Sequence, residues 1–260
     1  MKKFFSTLAA AAIMTASVTS CQPPKPNTLT AAEEAEGWQL LFDGETLNGW
    51  RSFNEKELKG GWTVVDGCIQ ASGEGGDASG YIVTDKKFAN FELMWDWKLT
   101  KGGNSGMLYH VVEHPRFAVP YVTGPEYQLI DVEGWEEKNA PAKLEDWQKI
   151  GVDYAMHLPD KSKMHINDGD WNNSVIVFDN GHVEHWLNGE KIVEFEAYTD
   201  DWFARKASGK WGNATEYGLA SEGVICLQDH GDPASFRNIK IKELPKTTTG
   251  KKVSLFNGKD

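Results

Sequence analysis

The sequence has few cysteines, few basic residues and no sustained helical periodicity, and each shortage excludes a class of protein. Cys68 and Cys226, two of the three cysteines, do not have the spacing of a metal site. Lysine and arginine total 27 against 38 acidic residues, a formal net charge of −11. No basic patch is visible, so we expect no binding to nucleic acid. The lack of helical periodicity argues against an α/β fold.

Glycine and tryptophan are abundant instead, with 26 and 11 residues in a chain of 260. Glycine at this level fits the many turns of a β protein. Tryptophan at this level predicts an aromatic core, rings that stack on a ligand, or both. The length suits one large domain with short additional segments.

The N-terminus has the features of an export signal. Residues 4–18 are apolar and small, follow two lysines, and lead through small residues to Cys21. The run is too short and too rich in alanine, serine and threonine to span a bilayer stably. Cys21 stands where a bacterial lipoprotein signal has its lipidated cysteine; the alternative is an ordinary secretory signal. We predict a lipoprotein signal peptide over residues 1–20, lipid on Cys21 and a tether over residues 21–36.

These features predict an exported protein that is attached to a membrane through its lipid anchor alone. The residues after Cys21 carry no acidic cluster, which surface-export signals of lipoproteins usually have. We therefore expect the periplasmic side rather than the cell surface. In that environment Cys68 and Cys226 could form a disulfide. The alternative is that both are small buried hydrophobic residues.

From Trp38 onward, the sequence is a series of short runs rich in aromatic and β-branched residues. Residues 172–195 predict a three-strand meander, because Asp179-Asn180-Gly181 and Asn188-Gly189 supply its two turns. About a dozen strands are too many for an immunoglobulin-like domain. We predict an all-β fold, a concanavalin A-like jelly-roll β-sandwich over residues 37–245.

Three further segments stand out from the β pattern. Residues 133–165 and 198–216 are long insertions, which in other proteins are usually functional or mobile. Residues 254–259 repeat the motif of residues 40–45. We interpret residues 246–260 as a linker and the start of a second, truncated repeat; coincidence in so short a window is the alternative.

The segment Glu126-Tyr127-Gln128-Leu129-Ile130-Asp131 is the most informative for function. On a strand, Glu126 and Gln128 point to the same face. A one-residue bulge after Gln128 would bring Asp131 to that face as well. Two carboxylates and an amide would then form an acid/base site suited to sugar chemistry. The pattern is similar to the strand motif of laminarinase-type glycosidases, with Gln and Asp substituted, and a polar face in solvent is the alternative.

Further candidates come from the turns and insertions. Asn104 lies in a run of small residues where a ligand can approach the backbone, although a plain turn would look the same. His230 follows a strand among polar residues, and histidine transfers protons near neutral pH. Trp135 and Trp147 are in the insertion that follows the site strand, where their rings could stack on a sugar. Arg237 is either a substrate contact or a buried structural anchor to Asp229.

Together these segments resemble one family, long described as a domain of unknown function and now called the 3-keto-disaccharide hydrolase or 3-keto-glucoside-1,2-lyase/3-keto-2-hydroxyglucal hydratase domain. The resemblance covers Trp38 to Leu244. The matching segments are Leu41-Phe42-Asp43-Gly44, Leu47-Asn48-Gly49-Trp50, Gly103-Asn104-Ser105-Gly106, Glu126-Tyr127-Gln128-Leu129-Ile130-Asp131, Trp171-Asn172, His185-Trp186-Leu187-Asn188-Gly189, Leu227-Gln228-Asp229-His230-Gly231 and Phe236-Arg237-Asn238-Ile239-Lys240-Ile241.

The resemblance implies an enzyme that acts on sugars oxidised at C3. A ketone at C3 acidifies the C2 proton, so a base can remove it, the C1 substituent can leave by β-elimination, and water can add back. This chemistry needs a base, a group or cation that polarises the ketone, and an acid. Glu126, Asp131 and His230 are the residues of the right type, and Asn104, Gln128, Trp135, Trp147 and Arg237 are the substrate-binding candidates. Which residue takes which role stays open, as do a divalent metal ion and the oligomeric state.

Two other functions are consistent with the same sequence. One is a conventional glycoside hydrolase in which Glu126 and Asp131 form the carboxylate pair. The other is a carbohydrate-binding lipoprotein without activity, because a fold does not fix a function.

Overall fold

Two antiparallel sheets form the molecule in a computed structural model that describes residues 25–74 and 80–247. The strands are β1 (Trp38–Leu40), β2 (Trp50–Ser52), β3 (Trp62–Val65), β4 (Cys68–Ala71), β5 (Tyr81–Phe88), β6 (Phe91–Leu99), β7 (Asn104–Val111), β8 (Glu126–Ile130), β9 (Asn172–Asp179), β10 (His182–Leu187), β11 (Glu190–Glu196), β12 (Gly223–Asp229) and β13 (Ala234–Glu243). The α-helices are α1 (Ala31–Ala35), α2 (Val132–Lys138) and α3 (Asp200–Ser208), and single 3₁₀ turns cover Pro120–Val122, Asp146–Gln148 and Lys161–Lys163.

The larger sheet has eight strands in the order β11-β10-β9-β6-β13-β4-β3, with β1 also paired to β13. The smaller sheet has five, in the order β2-β5-β12-β7-β8. This arrangement confirms the predicted all-β jelly-roll sandwich. The described helices have nine residues or fewer, in agreement with the missing helical periodicity.

The meander β9–β11 shows how local sequence determines the larger sheet. Apolar and polar residues alternate along β9 and β10, so one face of each strand is buried. Asn180 has φ 53°, and Asn188 and Gly189 at the second turn have φ 47° and 87°. Asparagine and glycine tolerate such angles, and the tight hairpin predicted there is confirmed.

The core lies between the sheets and is rich in aromatic residues. Phe91, Leu93 and Trp95 of β6 are fully buried and face Tyr109 and Tyr127 of the smaller sheet. Burial on this scale is the main source of stability in a sandwich of this kind.

The smaller sheet is buried on its outer face as well. Every residue of β7, β8 and β12 is buried, because the chain that leaves β7, the insertion after β8 and the segment after α3 cover these strands. Tyr121 packs on an apolar cluster of this outer face and also on the cluster around Trp211. Polar residues on the outer face of β8 are thus enclosed.

The predicted tether over residues 21–36 needs correction, because its described part, from residue 25, docks on the larger sheet. The backbone N–H of Asn27 donates to Asn238 Oδ1 at 2.6 Å, and the backbone N–H of Asn238 donates to Asn27 Oδ1 at 2.8 Å. Lys240 forms an ion pair with Glu33 of α1. Cys21 and the repeated motif at residues 254–259 lie outside the described residues. In the described ranges, no helix combines the length and apolar character that a membrane span requires.

Cys68 and Cys226 are both free and buried. Cys226 belongs to the apolar cluster on the outer face of the smaller sheet. Cys68 precedes Ile69, whose side chain is in the core, so by strand alternation the thiol points to the outer face of the larger sheet. Two sheets separate the thiols, and the structure therefore agrees with the two-hydrophobe alternative rather than with a disulfide.

Candidate active site

The outer face of the smaller sheet carries the residues that β8 was predicted to present. Glu126 and Gln128 share this face and are 5% and 4% exposed. The pairing of β7 with β8, both described throughout, is regular from Asn104↔Ile130 to Leu108↔Glu126. The predicted bulge after Gln128 is therefore wrong, and strict alternation puts Ile130 in the third position of this face.

Asp131 has a different position from the one predicted. It is the N-cap of α2, and its carboxylate accepts hydrogen bonds from the backbone N–H groups of Gly134 at 3.1 Å and Gly102 at 2.7 Å. Aspartate is a preferred N-cap because its carboxylate binds the free N–H groups of the first turn. The carboxylate thus holds the start of α2 against the β6–β7 turn instead of joining Glu126.

Gly106 makes a gap in the centre of this face. Its register partners are Gln128 on β8 and Gln228 on β12. The space that a side chain at position 106 would occupy is taken by the carboxylate of Glu126. The glycine therefore lets a buried carboxylate lie flat over the sheet.

Three amide oxygens around the gap lack a hydrogen-bond partner among the described residues: Asn104 Oδ1, Gln128 Oε1 and Gln228 Oε1. All three residues are less than 9% exposed. Their register places them on the same side of the sheet, in two adjacent rows around Gly106. Buried polar atoms are rarely left unpaired, so this group of acceptors suits a ligand rich in hydroxyl donors.

The 133–165 insertion forms one wall of the site. Its residues 151–154 pair with the edge strand β8, since Gly151 N donates to Gln128 O at 2.9 Å and Tyr154 N donates to Glu126 O at 3.0 Å. Gln128 Nε2 donates to the carbonyl of Gln148 at 3.0 Å. Trp147, one residue earlier, packs edge-on against Tyr154 with ring centroids 5.4 Å apart. The insertion therefore lies along the outer edge of β8, next to Glu126 and Gln128.

Tyr154 is electrostatically coupled to the site. Burial of its ring raises the pKa of the phenol, and the nearby Glu126 carboxylate raises it further. A raised pKa keeps the hydroxyl protonated, so Tyr154 is a hydrogen-bond donor over the whole physiological range.

The 198–216 insertion closes the wall. Trp211 donates from Nε1 to the carbonyl of Tyr154 at 2.8 Å and stacks on Tyr217 with ring centroids 4.2 Å apart. Lys210 Nζ lies over the Tyr154 ring. On the other side of Gly106, Gln228 Nε2 donates to the Tyr81 hydroxyl at 3.3 Å.

Three other residues that were predicted for the site, His230, Trp147 and Trp135, differ in how close they lie to Glu126 and Gln128. His230 is exposed and directly follows β12, two residues beyond Gln228. Trp147 is in the wall just described. Trp135, in contrast, packs from α2 against the core between the sheets.

Arg237 does not belong to the site. It is on β13 of the larger sheet, where its guanidinium covers the Trp171 ring at 3.9 Å and contacts Asp96 at 3.4 Å. Arg237 is a structural anchor, but the predicted partner Asp229 is wrong: the carboxylate that it contacts is Asp96. The sequence motif around Arg237 does not show which sheet its strand joins.

A histidine–carboxylate cluster is present elsewhere in the described part of the chain. Ligand atoms of His182, Glu184 and Glu194 lie within 4.8 Å of one another on β10 and β11. Lys191 already binds Glu184 at 2.9 Å and Glu194 at 2.7 Å. This cluster is on the larger sheet and takes no part in the candidate site.

Comparison with known proteins agrees with this architecture. The model of the 3-keto-alpha-glucoside-1,2-lyase-like domain matches residues 37–242. The chain belongs to this family.

Individual relatives support the assignment. A 3-keto-disaccharide hydrolase from Bacteroides thetaiotaomicron is 32% identical, over 86% of this chain and 84% of that protein. The crystal structure of a candidate glycosyl hydrolase from Parabacteroides distasonis is 46% identical, with a TM-score of 0.77 over 85% of this chain and all of that one. A second such structure from the same organism is 25% identical, with a TM-score of 0.58 over 80% and 99% of the two chains.

Several residues of the candidate site were missed by sequence reasoning. Side chains alternate between the two faces of a strand. Once Cys226 is known to point to the outer face, this alternation places Gln228 on that face as well. Tyr154, Lys210 and Trp211 lie in irregular segments without periodicity, so the sequence indicated the two insertions but not these residues within them. Only the docking of two insertions brings Lys210 and Trp211 to Tyr154, whose backbone is hydrogen-bonded to Glu126.

Proposed function

We propose that the protein cleaves glycosides whose sugar ring carries a ketone at C3. The observation that supports this proposal most strongly is the buried Glu126 carboxylate above Gly106, with unpaired amide oxygens around it. The acceptors suit the hydroxyl groups of a pyranose, and the carboxylate suits the removal of a proton from carbon. The named hydrolase relative is consistent with such a substrate.

In the proposed reaction, Glu126 takes the proton from C2, and the electron pair of that C–H bond forms an enolate between C2 and C3. The enolate returns its electrons to expel the oxygen at C1, which leaves as an alcohol after gaining a proton. The product is an enone, and addition of water across its C1–C2 double bond gives net hydrolysis. We assign the proton transfer to the leaving oxygen to His230. This residue is exposed and directly follows β12, two residues beyond Gln228.

A conventional glycoside hydrolase is the less favoured alternative. That mechanism needs two carboxylates that flank the glycosidic bond. Asp131, the predicted partner of Glu126, is instead bound to two backbone N–H groups at the start of α2. A single buried carboxylate is sufficient for elimination, which favours a 3-keto substrate.

Parallel assays with a p-nitrophenyl glucoside and its 3-keto derivative test this function. We expect the enzyme to release nitrophenol from the keto sugar and not from the parent. Release from both compounds at similar rates would support the glycoside hydrolase instead. Binding of either compound without release would support a carbohydrate-binding protein.

We also propose that the mature protein is exported and carries lipid on Cys21, with its catalytic domain on the periplasmic side. The support is the signal-like N-terminal sequence. Expression of wild type and Cys21→Ala, followed by membrane fractionation, tests this proposal. Release of the variant into the soluble fraction is expected, whereas unchanged membrane association would contradict it.

A further inference from the structure

Tyr154 lies directly opposite Glu126 where the 133–165 insertion pairs with β8. Tyr127 and Asp153 form an antiparallel bridge. One residue further along, the backbone N–H of Tyr154 donates to the carbonyl of Glu126 at 3.0 Å. Opposite residues of an antiparallel pair share a face, with Cβ atoms about 5 Å apart. The register therefore places the side chain of Tyr154 next to that of Glu126, on the outer face of the smaller sheet.

Contacts with two tryptophans fix the Tyr154 ring in this position. Trp147 packs edge-on against the ring, with centroids 5.4 Å apart, and the Trp211 ring is tilted against it at 6.4 Å. Trp211 also donates from Nε1 to the Tyr154 carbonyl at 2.8 Å. Tyr154 is half-buried, so its hydroxyl is held in place while part of the side chain stays accessible to a ligand.

Gln148 determines which hydrogen-bonding role of the Tyr154 hydroxyl is left for a ligand. The Gln148 amide oxygen accepts from the backbone N–H of Glu145 at 3.0 Å, so its Nε2 group is the end that can serve the phenol. Burial and the Glu126 charge raise the pKa of Tyr154, whereas a hydrogen bond with the Gln148 side chain lowers it. A bond that lowers this pKa is one that the phenol oxygen accepts. The hydroxyl proton is thus left to be donated.

The proposed reaction needs such a donor. Removal of the C2 proton by Glu126 leaves the electron pair of the C–H bond in an enolate, with negative charge on the C3 oxygen. A fixed donor aimed at that oxygen lowers the barrier. We infer that the Tyr154 hydroxyl donates a hydrogen bond to the C3 oxygen and stabilises the enolate. The proton stays on the phenol, and the enolate charge is discharged when the oxygen at C1 is expelled. This inference rests on the proposed function, because it assigns a further catalytic residue to the same reaction.

The two glutamines beside Gly106 serve the substrate differently. Gln128 Nε2 donates to the Gln148 carbonyl at 3.0 Å, and Gln228 Nε2 donates to the Tyr81 hydroxyl at 3.3 Å. Their Oε1 atoms have no hydrogen-bond partner among the described residues. These side chains therefore present acceptors to the sugar hydroxyls, while Tyr154 presents a donor to the ketone.

Tyr198 provides a matched control. Like Tyr154, it is a partly exposed tyrosine whose phenol has its pKa raised by burial. Its hydroxyl donates to the carbonyl of Ala220 at 3.2 Å, and its ring packs against Phe178 of the larger sheet with centroids 6.5 Å apart. Tyr198→Phe therefore removes a comparable hydroxyl at a contact with the larger sheet.

The test compares wild type with Tyr154→Phe, which loses the hydroxyl and keeps the ring. The probe is 3-keto-1,5-anhydroglucitol, which lacks a leaving group at C1, and NMR in D₂O follows exchange of its C2 proton for deuterium. We expect Tyr154→Phe to slow this exchange by about a hundredfold, as for loss of an oxyanion donor. The kcat for cleavage of the 3-keto p-nitrophenyl glucoside should fall to a similar extent. Tyr198→Phe should match wild type in both assays.

Gln148→Met tests whether the hydroxyl is oriented as described. Its backbone carbonyl still binds Gln128, but its side chain no longer donates to Tyr154. We expect a loss of about tenfold, the scale of one hydrogen bond, and no additional loss in the Tyr154→Phe background. An additional loss in that background would show that Gln148 does not act through Tyr154.

The outcomes separate this inference from the proposed function. If wild type exchanges the proton or cleaves the 3-keto glucoside, and folded Tyr154→Phe retains more than about a tenth of that rate, the role of Tyr154 is refuted and the proposed function stands. If wild type does neither, the proposed function itself fails. Circular dichroism checks the fold of each variant. If Tyr154→Phe does not fold, Gln148→Met decides in the same assays, and a wild-type rate would refute the inference.

Discussion

The carboxylate of Glu126 occupies the space that a side chain at Gly106 would need. Gly106→Ala should therefore push the carboxylate out of position and reduce turnover of the 3-keto glucoside by at least about tenfold. The backbone should tolerate alanine, since Gly106 is not among the glycines with positive φ. Steady-state kinetics together with a thermal unfolding curve check this prediction.

A double mutant isolates the cause of that loss. In a Glu126→Gln background, Gly106→Ala should produce little additional loss, because the catalytic carboxylate is already absent. A full, additive loss in the double mutant would show that the alanine acts on the sheet rather than on Glu126. Wild-type turnover of the single Gly106→Ala variant would also contradict the proposed geometry.

Asp131 should prove structural, because its carboxylate caps α2. Asp131→Ala should lower the free energy of unfolding by about 1 kcal/mol, the usual cost of losing an N-cap. Asp131→Asn should retain most of that stability, since asparagine caps nearly as well. Urea unfolding of the three proteins provides the measurement, and equal destabilisation by both substitutions would count against the capping role.

Because two histidines are buried in the folded protein, we predict that its free energy of unfolding falls in mild acid. Burial lowers the pKa of His110 and of His185 from 6.5 to about 4. Between these pH values the unfolded chain binds protons that the folded protein does not, so stability decreases as the pH drops through that window. Each histidine contributes at most about 3 kcal/mol to the change, and the full stability is present above pH 6.5.

Urea unfolding at several pH values from 7 to 4.5 tests this dependence. His185→Gln should flatten the curve, because it removes one of the two groups. The nearby Asp153 carboxylate acts in the opposite direction by favouring the charged imidazole. A pH dependence that is identical in wild type and in His185→Gln would refute the assignment to His185.

The thiols of Cys68 and Cys226 should remain unpaired in the exported protein, since they point to opposite sides of the sandwich. Intact mass measured with and without reductant should therefore be the same after alkylation of accessible thiols. A mass difference of one disulfide within a single chain would contradict the fold described here.

Local sequence predicted much of the secondary structure of this molecule. The predictions failed where packing between distant segments determines the structure. The turn at Asn188-Gly189 and the shared face of Glu126 and Gln128 follow from preferences within a few residues. The predicted bulge after Gln128 did not follow from such local preferences. Asp131 is a helix-capping residue, so the strand ends before it and α2 begins there.

The rest of the site depends on contacts between distant segments. Arg237 is in a family-like motif, but the motif does not reveal that β13 belongs to the larger sheet. Lys210 joins Tyr154 only because two insertions pack on the same strand, and no residue spacing encodes that packing. Burial of Glu126 and Gln128 on the outer face of β8 was equally hidden, since it requires knowledge of what covers the sheet.

Turnover of a 3-keto glucoside by Glu126→Gln, compared with Asp131→Asn, tests the central claim most directly. Both substitutions replace a carboxylate with an amide of similar shape, five residues apart in the chain. We predict that Glu126→Gln loses about a hundredfold or more in kcat, the usual scale for a general base, while Asp131→Asn keeps nearly wild-type turnover. Wild-type turnover by Glu126→Gln, or an equal loss in both variants, would contradict the account.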